Sequence, residues 1–222
     1  MKTWMGKLRL VLLLLTMPCI NIFYGLLNNP DRGVKSLVTD IDRGVPFIKA
    51  FVIPYLFWIV FIFIILIYLL IKDEKTFVRT ILTIDVCLVF CFTIYYFFQT
   101  TVPRPVVDGS DLLSRLVNTV YYYDQPFNCF PSIHCLTSYI MIKAISQSNI
   151  RNRINFSIIT LISVLIILST MFIKQHVVLD AISAIIIGNG VFETFTILYK
   201  EQAAQWTRKQ SSSLMMKRKL ET

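Results

Sequence analysis

Residues 50–71 read AFVIPYLFWIVFIFIILIYLLI, twenty-two consecutive positions without a charge. The hydrocarbon core of a bilayer is about 30 Å thick and takes about 20 apolar helical residues to cross. The stretch is therefore a membrane span rather than the interior of a soluble domain, with Pro54 as a candidate kink. Composition agrees: 55% of the chain is hydrophobic, 16% is charged and the mean hydropathy is +0.65. A soluble domain carries about a quarter charged residues. The net charge of +9 would suggest a nucleic-acid partner in a soluble protein. Here the basic residues flank apolar blocks, which predicts contact with anionic lipid headgroups and no nucleic acid.

Upstream of that span, Lys2, Lys7 and Arg9 lead into an apolar run over 8–27. Pro18-Cys19 is a poor lipidation site and no small-residue cleavage site follows, so the run reads as an uncleaved first span. A polar loop over 28–46 joins it to the second span, 46–71. Downstream, a third span over 77–99 holds Asp85, an acid costly enough in a membrane to need a partner. A long polar stretch from Thr100 to Pro131 follows, with Pro103-Arg104-Pro105 and the tyrosines Tyr121, Tyr122 and Tyr123 expected at headgroup level. Further spans are expected at 132–147, 154–173 and 177–199, the last holding Glu193, and then a basic tail over 200–222. That tail, with Trp206 between Arg208-Lys209 and Lys217-Arg218-Lys219 on one side and the span on the other, is expected to be disordered and to touch anionic lipid.

The expected fold is all-α: a polytopic bundle of six transmembrane helices forming one domain, 1–199. Fifteen of the 22 Lys and Arg fall at the N-terminus, the 72–79 turn, the 143–153 turn and the tail. The positive-inside rule then places both termini in the cytoplasm and the active site at the external face, in what we expect to be a bacterial plasma membrane.

The only two histidines lie at span boundaries, in Phe130-Pro131-Ser132-Ile133-His134 and Lys174-Gln175-His176-Val177-Val178-Leu179-Asp180. A spacing of four puts His176 and Asp180 on one helix face, so the carboxylate can hold one ring nitrogen and leave the other free. Ser132 stands where a helix begins, and unpaired first-turn amides there suit an anion. Arg104 keeps its charge and its fork matches phosphate oxygens. Lys174 adds a second cation at the same level. The set predicts a phosphate pocket with one imidazole to attack and one to protonate. Two histidines and scattered acids offer no metal-ligand spacing, so neither metal nor cofactor is expected. Cys19, Cys87 and Cys91 lie inside apolar segments, and Cys129 and Cys135 are separated across a helix start, so no disulfide is expected.

Pro131-Ser132-Ile133-His134 and Ser169-Thr170-x5-His176-x3-Asp180 resemble the second and third signatures of the type 2 phosphatidic acid phosphatase superfamily, P-S-G-H and S-R-x5-H-x3-D. Thr101-Val102-Pro103-Arg104-Pro105 is similar to the end of its first signature, K-x6-R-P. The resemblance covers about residues 46–199. It implies a metal-independent lipid phosphatase in which His176 is the nucleophile, Asp180 orients it, His134 is the general acid, and Arg104 and Ser132 bind phosphate. The chain departs from the signatures at Phe97, Thr170 and Ile133, where they carry Lys, Arg and Gly; Lys174 is the candidate partial replacement. These departures, with the Asp42–Phe47 approach to the second span, resemble the branch of inositol phosphorylceramide synthases and sphingomyelin-synthase-like transferases. The alternative implied is a phosphotransferase moving a phospho-headgroup between lipids. A further alternative is an inactive binding or transport protein of the same fold.

Overall fold

A computed structural model describes the backbone of residues 4–220 and the side chains of residues 8–201. Lys2, and the side chains of Trp206 and the tail's basic clusters, lie outside the described residues. Among those described, five helical stretches are long and apolar enough to cross a membrane: Leu8–Leu27, Lys49–Lys72, Glu74–Phe97, Arg153–Phe172 and Val178–Glu201.

The first of these is two helices, α1 (Trp4–Leu14) and α2 (Thr16–Leu27), where the sequence reading expects one. Pro18 sits in the first turn of α2, where its ring would meet the carbonyl four residues back. The chain breaks at Leu15 as a result. Thr16 turns its hydroxyl at the break to Asp85 Oδ2, 2.7 Å away, so the intramembrane acid has a partner. Glu193 has one too, pairing with Lys143 and accepting from Gln147 at 3.1 Å.

A five-residue helix, α3 (Asp40–Gly44), precedes a single 3-10 turn over Lys49–Phe51 and then α4 (Val52–Lys72). Asp73 starts α5 (Glu74–Phe97), accepting from the amide and hydroxyl of Thr76. It also accepts from Ser148 Oγ and the Asn149 amide, each at 2.8 Å. Burial works to raise the Asp73 pKa, but these donors hold it below the ordinary carboxylate value. The long polar stretch between the third and fourth expected spans contains α6 (Leu112–Tyr123), capped by Asp111 and packed through Val117 and Val120 onto Val52, Tyr55 and Ile173. Two residue pairs, Lys35–Ser36 and Thr100–Thr101, form a short parallel ladder that ties the two polar loops together.

At the centre lies α7 (Ile133–Ser146), with ten of its fourteen residues buried. It packs against α4, α5, α8 (Arg153–Phe172) and α9 (Val178–Leu220). Fourteen residues rise about 21 Å, short of the roughly 30 Å of hydrocarbon, so the fourth expected span falls below the length for crossing on its own. It nevertheless runs between the two ends of the bundle. Ser132 at its start donates its amide to Asp180 O at 3.2 Å, and Ser148 just beyond its end meets Asp73 in the α4–α5 turn. The backbone of α9 stays helical to Leu220, where the sequence reading expects a disordered tail; Ala, Gln, Lys, Arg, Leu and Met there are strong helix formers. Both described ends of the chain therefore lie at the end of the bundle opposite Ser132 and His176.

Candidate active site

Ser132 is the N-cap of α7, and its hydroxyl accepts from the Cys135 amide at 3.3 Å. The cap fixes His134 in the first turn, 8% exposed, between two rings. Tyr55 stacks on it at 4.5 Å and 25°, and Trp58 tilts over it at 4.1 Å. Trp58 is held in turn by its indole N–H on Thr137 Oγ1 at 2.8 Å.

His176 comes from the short α8–α9 connection. That connection is set by a Schellman closure: the amides of Lys174 and Gln175 bond to the carbonyls of Met171 and Thr170. The left-handed position is filled by Lys174, φ 54°, where glycine is usual. His176 Nδ1 faces Asp180 Oδ2 at 3.2 Å, and the same oxygen accepts from the Val177 amide at 3.0 Å. An ionised carboxylate only accepts, so Nδ1 carries the proton and the Nε2 lone pair is left for chemistry. The two imidazoles lie 5.8 Å apart between centroids. The predicted triad of His134, His176 and Asp180 is thus brought together from three elements.

Arg104 reaches the same neighbourhood. Its guanidinium donates to Tyr121 O at 3.1 Å, to Asp124 O at 2.5 Å and to Gln175 Oε1, and lies over the Tyr121 ring at 4.5 Å. Burial lowers its pKa against the opposing pull of Asp124, yet a guanidinium keeps its charge. Lys174 is placed differently from expectation. Its ammonium donates to Asp42 O at 3.0 Å and Val45 O at 2.5 Å, the carbonyls that end α3. The Asp42 carboxylate reciprocates, accepting from the Val178 amide at 2.7 Å and so capping α9 from another element. The loop bearing His176 is therefore clamped at both ends by α3. Beside it opens a cavity of about 200 Å³, walled by Asp42, Arg43, Phe47, Pro105, Lys174 and His176 among others.

Two of the three departures from the signatures, those that replace a cation, are placed by the structure. Phe97 is 80% exposed on the outer face of α5, and Thr170 is fully buried beside Cys135, so no cation stands at either place. Two residues escaped the sequence reading. Asp124 accepts from Tyr24 OH, from Tyr55 OH at 2.5 Å and from Asn28 Nδ2 at 3.4 Å, tying the first span to the ring that stacks on His134. Cys129 lies against Val102 and Val177, next to His176 and Asp180, and burial pushes its thiol up. All five cysteines are free.

A family model described as the PAP2 superfamily matches residues 41–192, a range that includes each of the catalytic and phosphate-binding candidates. No curated protein and no solved structure matches the chain.

Proposed function

Because the chain belongs to the PAP2 superfamily, we propose that it is an integral membrane phosphatase that hydrolyses a lipid phosphomonoester or diphosphate through a phosphohistidine. The observation that carries this reading is the pair of imidazoles 5.8 Å apart, one oriented by a buried carboxylate and the other lodged at a helix start.

His176 Nε2 attacks phosphorus, forming the N–P bond as the P–O bond to the lipid breaks, and His134 gives its proton to the departing alkoxide. The first-turn amides of α7 and the Arg104 guanidinium hold the phosphoryl oxygens. Water then attacks the phosphohistidine, His134 takes its proton, and phosphate leaves. Asp180 keeps Nδ1 protonated throughout. Lys174 contributes by bracing the cavity wall through α3, with one donor left for an anion. The positive-inside count supports cytoplasmic termini and a site on the outer leaflet.

One observation favours transfer to an alcohol as a second reading. His134 is enclosed by Tyr55 and Trp58, and the cavity beside His176 is walled largely by Val38, Val45, Phe47, Pro103, Pro105 and Met171, an apolar lining suited to a lipid alcohol as acceptor. The deciding experiment offers purified protein in detergent a panel of radiolabelled lipid phosphates, with and without alcohol acceptors. Free phosphate means hydrolysis and labelled product lipid means transfer. Neither product, with no phosphoenzyme trapped, would leave a binding or transport protein and overturn both.

A further inference from the structure

The geometry points to an inhibitory site for a soft divalent cation of the zinc class, built from Cys129, His176 and Asp180. Cys129 Sγ, a ring nitrogen of His176 and a carboxylate oxygen of Asp180 lie within 4.8 Å of one another, all three residues buried. Tetrahedral zinc takes sulfur at about 2.3 Å and nitrogen or oxygen at about 2.0–2.2 Å. Ligand atoms on such an ion stand between 3 and 4 Å apart, on the order of the spacing found, so shifts of about 1 Å close the shell.

A second observation points the same way. Asp180 is fully buried and its Oδ1 has no hydrogen-bond partner among the described residues, while Oδ2 alone serves His176 and Val177. A buried carboxylate oxygen without a donor is costly, and a cation beside it would satisfy it. A way in exists: Val102 and Val177, which pack on Cys129, also wall the cavity that reaches His176. Binding takes His176 neutral and releases the thiol proton to solvent. The fourth position is left to water or substrate. That such binding silences the enzyme rests on His176 being the nucleophile, since a ring nitrogen on the ion is withdrawn from attack.

The test uses the full chain in detergent with zinc chloride, cadmium chloride and the variant Cys129→Ser. Zinc is expected to inhibit phosphate release reversibly, and Cys129→Ser to retain activity while needing more zinc, by on the order of 10- to 100-fold, the range that loss of even an outer-shell partner costs. Cadmium is expected to give an ultraviolet thiolate charge-transfer band in the native protein minus the variant, at one ion per chain. X-ray absorption of the zinc-loaded protein is expected to show a sulfur scatterer absent from the variant. Should Cys129→Ser fold poorly, Cys129→Ala serves in its place. A flat cadmium difference spectrum, or a zinc shell of nitrogen and oxygen alone, overturns the site. The cadmium band needs no turnover, so a chain that shows it without releasing phosphate keeps the site and sinks the reaction instead.

Discussion

At the scale of single residues, the two histidines differ by the company they keep. His176 has a carboxylate at its Nδ1, whereas His134 has aromatic rings on two sides. We expect His176→Ala to abolish the phosphoenzyme trapped from a radiolabelled lipid phosphate. His134→Ala should slow lipid phosphate turnover by about 10²- to 10⁴-fold and recover in part with p-nitrophenyl phosphate, whose phenolate leaves without a proton. Label still trapped in His176→Ala would reverse the roles. Lys174 offers a second comparison at this scale. Ala and Gly at that position both lose the tie to α3, but only Gly sits easily at positive φ. Lys174→Gly should unfold later than Lys174→Ala, by about 1–2 kcal/mol, in thermal scans of the two detergent-solubilised variants. Equal stabilities would mean that the left-handed turn relaxes. His176, Asp180 and Ser132 were legible in the sequence because their relations are local: a spacing of four and a helix start. Asp124 was not, because its partners Tyr24 and Tyr55 stand 100 and 69 residues away.

At the scale of elements, α3 is the piece that steadies the loop carrying His176. Asp42→Ala removes the acceptor for Val178 and Thr39 at once, and loss of a capping side chain costs about 0.5–2 kcal/mol. Turnover should fall with little change in KM, because the loop that carries His176 is loosened rather than the substrate's own contacts. A wild-type kcat would show that the clamp is dispensable. Burial works to raise the Asp42 pKa, but the Thr39 hydroxyl and the amides of Val178 and Thr39 hold it below the ordinary value. A carboxyl depressed on folding stabilises above its unfolded pKa, near 4, and that stability drains away as pH falls below this range. Wild type should therefore lose more stability than Asp42→Asn between neutral pH and that acid range, as thermal scans in matched buffers would reveal. Five of the six expected spans coincide to within a few residues with helices long and apolar enough to cross a membrane, since their apolar runs admit one reading; the fourth, 132–147, does not reach that length. The helix α6 was hidden because its tyrosines read as headgroup anchors, though Asp111 as a cap and the spacing of Leu113, Val117 and Val120 carry its signal. The break before α2 needed Pro18 to be weighed against the apolar run around it.

At the scale of the whole molecule, the site and the described chain ends lie at opposite ends of the bundle. A cysteine placed at Asp108, in a background lacking the native five, should react with an impermeant thiol reagent on intact cells, and one at Ser212 should not. The opposite pattern would turn the bundle over in the membrane. No step of the proposed reaction uses a metal, so phosphate release should survive EDTA; loss restored by magnesium would contradict the chemistry. The indole that covers His134 also makes the site optically self-reporting. The sequence holds three tryptophans, Trp4, Trp58 and Trp206, and Trp58 lies against His134 at 4.1 Å, the imidazole that gives and takes a proton in the proposed reaction. With Trp4 and Trp206 replaced by phenylalanine, the remaining emission would follow the proton on that ring in real time, since an imidazolium quenches a neighbouring indole. Stopped-flow fluorescence could then time leaving-group departure and acceptor attack as separate phases, with no dye attached and no isotope needed.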